Sequence, residues 1–111
     1  MRSESSHALE SIKMTTMSIE EQLRAHRETI LALADKYGVY NVRVFGSVAR
    51  GEAGPKSDVD FLVEVRPGVG FALMTLWNEL EDLLGREVDL IPEDSLRESL
   101  RETVLREAIP L

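Results

Sequence analysis

Between residues 59 and 65 the chain reads Val-Asp-Phe-Leu-Val-Glu-Val, an alternation that fits a β-strand and little else. Val59, Phe61, Val63 and Val65 would face a helical layer, leaving Asp60, Leu62 and Glu64 on the other side. Asp58 joins that second side, so the strand opens with two carboxylates about 7 Å apart along one face. Turn chemistry after Ser57 accounts for Asp58 alone. Asp60 resists it, because a carboxylate one pleat inside an apolar strand is costly without a cation or hydrogen-bond donors. Ahead of the strand, residues 46–57 form a loop with three glycines that begins Gly46-Ser47, where a bare backbone can approach a bound anion. Paired acids beside such a nest of N–H groups suit a divalent cation carrying a nucleoside triphosphate.

The remaining segments frame this stretch. Ser18 and Glu21 make a capping box, and Ile19, Leu23, Ile30, Leu33, Ala34 and Tyr37 recur at helical spacing until Gly38 stops them. His26, on that stripe, reads as a half-buried packing residue rather than a ligand or base. Residues 41–45 form a short strand with Val42 and Val44 on one face. Residues 48–50 form a single helical turn whose N-terminal end favours an anion. Leu73, Leu76, Trp77, Leu80, Leu83 and Leu84 line an amphipathic helix that Gly85 ends, with Trp77 in the core. Residues 87–91 make a third strand closed by Pro92; laid beside the second, it would bring Asp89 to the side of Asp58 and Asp60. A last helix, capped at Asp94 or Ser95, would carry Leu96, Leu100, Val104, Leu105, Ala108 and Ile109 on one side and a solvated Arg/Glu face on the other. Residues 1–17 lack a sustained period and are expected to be a poorly ordered extension, the folded domain being residues 18–111. The order helix, strand, strand, helix, strand, helix predicts an α/β (α+β) fold. It is a two-layer sandwich in which a small mixed sheet carries helices on one face and leaves the other open for a ligand.

Composition narrows the function. A chain of 111 residues holds one domain. The absence of cysteine excludes disulfides and thiolate metal sites and suits a reducing cytoplasm. His7 and His26 are the only imidazoles, which argues against a structural zinc. No apolar run approaches the roughly 20 residues that cross a bilayer, and no secretion signal is expected. Twenty acids against 13 bases, a net charge of −7, argue against a nucleic-acid footprint. The excess falls after Arg66 and fits a basic partner protein or plain solubility.

Familiar phosphate and metal signatures fail on inspection. Lys56-Ser57 mimics the end of a P-loop, but Arg50 and Pro55 stand where glycines are required and a strand follows. Asp58-Val59-Asp60 runs into Phe61-Leu62 rather than a calcium loop. Neither histidine has a local partner for a triad. What remains is Gly46-Ser47, ten residues, then Asp58-Val59-Asp60. The span Gly46-Ser47-Val48-Ala49-Arg50-Gly51 through Ser57-Asp58-Val59-Asp60 resembles the signature of the nucleotidyltransferase superfamily related to DNA polymerase β. Within it the chain is similar to the minimal nucleotidyltransferases, many of which are antitoxins paired with HEPN-domain toxins. Val88-Asp89-Leu90 falls where that family carries its third carboxylate.

The resemblance implies roles for the matching residues. Gly46 and Ser47 would hold the terminal phosphates, with Arg50 and Lys56 adding charge or standing as solvated loop residues. Asp58, Asp60 and Asp89 would bind one or two Mg²⁺ ions, and Asp89 would also help deprotonate the attacking hydroxyl. The implied activity is transfer of AMP from ATP to a hydroxyl, a tyrosine of a HEPN toxin, by a cytoplasmic antitoxin. Two alternatives stay open: a nucleotide-binding antitoxin that works by occlusion alone, and a transferase acting on small molecules.

Overall fold

The computed structural model describes residues 18–111 apart from Pro55, so the extension expected over residues 1–17 lies outside the described residues. Helix α1, Ile19–Lys36, begins at the expected capping box: Ser18 Oγ accepts from Glu21 N (3.1 Å) and Glu21 Oε1 from Ser18 N (2.9 Å). Gly38, at φ 78°, turns the chain directly into strand β1, Val39–Phe45. This strand starts earlier than residues 41–45, because Val39 already pairs with Val65; a bulge then intervenes, with Asn41 at φ 51°. Strand β2, Val59–Val65, is followed by helix α2, Ala72–Leu84, which Gly85 ends in the left-handed conformation. Strand β3 is Val88–Pro92. Pro92, expected to close it, is its last residue, tolerated because β3 is an edge strand.

The C-terminal part departs from the expected single helix. Glu93–Ser95 is a 3-10 turn in which Ser95 Oγ donates back to the Pro92 carbonyl (2.8 Å) instead of capping a helix ahead. Helix α3 is therefore shorter, Glu98–Glu107, and none of its residues is buried. Leu100 and Leu105 are exposed, and Ile109 belongs to a fourth strand, β4, Ile109–Pro110, that adds to the free edge of β1. The sheet order is β3-β2-β1-β4, with β2 parallel to β3 and the other neighbours antiparallel, so the sheet is mixed as expected.

One face of the sheet meets α1 and α2. Val59, Phe61 and Val63 pack there with Val42, Val44, Val88 and Leu90 against Ile30, Leu76 and Leu80. Trp77 sits at the margin of this core and donates its indole N–H to the Val88 carbonyl, a packing role rather than a stacking platform. His26 is half-buried. The opposite face is less open than the alternation implies, since Leu62 is 0% exposed. The chain after β3 runs back across it: Glu93 forms an ion pair with Arg43 (2.8 Å), and Glu107 reaches the end of β1.

Gln22 is the one buried polar side chain among the described residues. Its Nε2 donates to the Leu84 carbonyl (3.2 Å) at the end of α2, and its Oε1 accepts from Arg86 Nε (2.9 Å). It fastens the start of one helix to the end of the other, where α-helical carbonyls lack partners of their own. Gln22→Met keeps the volume and removes both bonds. It is expected to lower stability by about 1–3 kcal/mol, read in a urea titration as an earlier midpoint at unchanged slope.

Candidate active site

Strand register builds the site. Antiparallel pairing sets Phe45 opposite Asp60, and parallel pairing sets Asp60 opposite Asp89. Paired residues share a face, so Asp60 and Asp89 stand side by side on the face away from α1 and α2. Asp60 is half-buried, whereas Asp58, at the mouth of β2, and Asp89 are exposed. Burial pushes the Asp60 carboxyl up to about 6; the Asp89 charge, a hydrogen bond with Asp89 and the Asp58 charge add to this, against Arg50. The charges of Asp89 and, less strongly, Asp58 thus both act on Asp60.

The glycine turn closes over this pair. Arg50 N donates to the Gly46 carbonyl (3.1 Å) and Glu52 N to that of Ser47 (2.8 Å), a single helical turn anchored by buried Val48. Gly46 has φ 73°, and a Cβ built on it would collide with Asp60 Oδ2. Glycine suits this position in both conformation and space, since any side chain would be strained there and would displace the Asp60 carboxylate. At the far end of the loop Ser57 Oγ accepts from Gly54 N (2.8 Å), while the Ser57 carbonyl accepts from Arg86 (3.3 Å), which fixes the approach to Asp58.

Of the residues singled out in the sequence, Gly46, Asp60 and Asp89 are brought together, with Asp58 at their edge. Ser47 is half-buried in the same turn. Arg50 is exposed but engaged, donating to Glu52 (2.9 Å) and Glu107 (3.0 Å). Lys56 is exposed, and among the described residues no bond draws it to the carboxylates. Glu107 is a residue that the sequence did not mark. Its Oε1 accepts from Gly46 N (2.7 Å), and Arg50 with that amide holds its carboxyl below the usual range. Nothing local could have found it, because 61 residues separate it from Gly46 and nothing in its helix sets it apart from Glu98 and Glu102.

Among the described residues no three His, Cys, Asp or Glu side chains form a ready metal cage. The donor set nevertheless fits Mg²⁺, which is held by one or two carboxylates with water and substrate phosphates rather than by an all-protein shell. Asp60 and Asp89, adjacent like charges in a half-buried place, are the pair that a cation would relieve.

Residues 26–111 match the family described as nucleotidyltransferase domain. Over 98 residues the chain is 41% identical to "Protein adenylyltransferase MntA" of Thermococcus cleftensis, covering 86% of this chain and 95% of that protein. A solved structure described as a "putative minimal nucleotidyltransferase" superimposes with a TM-score of 0.77 at 50% identity, over 86% of this chain and 98% of that one. A crystal structure of a toxin–antitoxin with AMP-PNP superimposes with a TM-score of 0.64 at 23% identity, over 75% of this chain and 69% of that one, a likeness of fold alone.

The like-charge pair has a consequence for stability. Asp60 titrates near 6 in the folded chain against 3.8 in its ordinary state, so between those values the folded state holds more protons than the unfolded. Stability therefore falls as pH rises through this window and carries the full penalty above about pH 6. In EDTA at pH 8, Asp60→Asn is expected to be more stable than the wild type by about 1 kcal/mol, the repulsion being screened by water that still reaches the group. Thermal unfolding across pH should show this advantage shrinking through pH 6 and gone near pH 4.

Proposed function

The chain belongs to the nucleotidyltransferase domain family, and from that premise we propose that it transfers AMP from ATP to a hydroxyl on a partner protein, a tyrosine of a HEPN toxin, and so acts as an antitoxin. The observation that carries this reading is the Asp60–Asp89 pair, set side by side by strand register beneath a glycine turn. The relative from Thermococcus cleftensis is itself named a protein adenylyltransferase, and a structural neighbour is a toxin–antitoxin pair with a nucleotide analogue.

In this reading Asp58, Asp60 and Asp89 hold one or two Mg²⁺ ions. A metal held by these carboxylates would supply charge neutralisation of the triphosphate and polarisation of the α-phosphorus. The N–H groups of the turn from Gly46 and Ser47, with Arg50, receive the β- and γ-phosphates. Asp89, exposed at the end of the pair, takes the proton of the attacking hydroxyl. The new bond joins the acceptor oxygen to the α-phosphorus, the bond to the β-phosphate oxygen breaks, and pyrophosphate departs toward the turn. Lys56 adds charge to the phosphates from the loop. The exposed Asp89 side leaves the acceptor wall to be supplied by the partner. No described helix is long and apolar enough to cross a membrane. The cysteine-free chain would work in the nucleotide-rich cytoplasm.

Incubation with α-³²P-ATP, Mg²⁺ and the product of the adjacent gene tests this. Label is expected on the partner, lowered about 100-fold or more by Asp58→Asn or Asp60→Asn. A tight complex without label, indifferent to both substitutions, would show occlusion instead; label appearing only on small alcohols would show a small-molecule transferase.

A further inference from the structure

Glu107 has no local reason to be where it is. It is the last residue of α3, and a carboxylate at a helix C-terminus faces the negative end of the helix dipole. Its helix contributes no buried residue, so core packing does not press it into place. Yet its two oxygens take the Gly46 N–H (2.7 Å) and the Arg50 guanidinium (3.0 Å), a backbone amide and an arginine at the mouth of the Asp60–Asp89 pair. An amide and a guanidinium converging on one anion are the donors that phosphate uses.

We propose that Glu107 is an internal stand-in for a nucleotide phosphate, occupying in the ligand-free protein the donors that the polyphosphate takes, so that nucleotide binds only as Glu107 leaves. The inference rests on the nucleotide site proposed above and adds its regulation. Gly46 has a single amide proton, so carboxylate and phosphate cannot both hold it at full strength. Leaving costs Glu107 two charge-assisted bonds and no core contact. Apparent affinity is then the intrinsic affinity multiplied by the fraction of molecules with the donors free. Because the plug sits on α3, whatever displaces that helix also opens the cradle.

Calorimetry with Mg²⁺ and the α,β-methylene analogue of ATP, whose scissile bond cannot be cut, tests this on the full chain. Glu107→Ala is expected to bind the analogue about tenfold more tightly than the wild type. Glu107→Gln should fall between them, since its amide oxygen can still accept from Gly46. Without nucleotide, Glu107→Ala should unfold at a lower temperature, so that the ligand-induced rise in midpoint grows while the starting midpoint drops. A residue that only straps α3 down would lower the starting midpoint and leave affinity alone. Equal or weaker binding by both variants, with measurable binding by the wild type, overturns the inference and leaves the nucleotide site standing. If neither wild type nor variants bind, and Asp60→Asn behaves alike, the site itself is wrong and the inference falls with it.

Discussion

The parallel ladder between β2 and β3 is the constraint on which the site depends. Backbone hydrogen bonds, not side-chain attraction, set Asp60 beside Asp89. Left to themselves two carboxylates would part. They are held by what lies on the reverse of the same strands: Val59, Phe61 and Val63 are fully buried, and Val88 and Leu90 nearly so. Each such side chain contributes about 1.5–3 kcal/mol on burial, which outweighs a screened repulsion of about 1 kcal/mol. Alternation therefore lets two short neighbouring strands carry both the unfavourable pair and the packing that sustains it.

The same division explains what could be read from the chain. Period, caps and stops are local: Ser18 with Glu21, the Val59-to-Val65 alternation, and Gly38 and Gly85 each declare their role within a few residues. Asp89 was legible on the condition that the third strand lay beside the second, and the β2–β3 pairing meets that condition. What failed depends on where the chain returns. Leu62 is buried by a segment that begins some 30 residues later. Ser95 could serve a helix ahead or a carbonyl behind, and only the turn after Pro92 decides. The apolar period through Leu100 and Leu105 does specify a helix, but periodicity carries no information on whether a stripe finds a partner surface. Glu107 is the extreme case, one of several glutamates on its helix, whose meaning comes from a glycine 61 residues away in sequence.

Charge around the pair decides how a nucleotide can arrive. Asp58, Asp60 and Asp89 stand with Glu52 and Glu107 against Arg50, and Arg50 is already shared between the two glutamates. A free triphosphate approaching this group would meet mainly like charge, relieved only by Arg50 and the loop Lys56. A cation changes the sign of the encounter, because carboxylates that repel each other and the phosphates then have a common counter-charge. If the proposed site takes Mg²⁺, the metal would be a condition of binding as well as of chemistry, and the nucleotide would come as its metal complex. It would also bear on the proposed exchange at the turn: Glu107 is one carboxylate without a cation, whereas incoming phosphates would bring theirs, so the exchange at Gly46 would favour the ligand once Asp60 and Asp89 had a metal to hold.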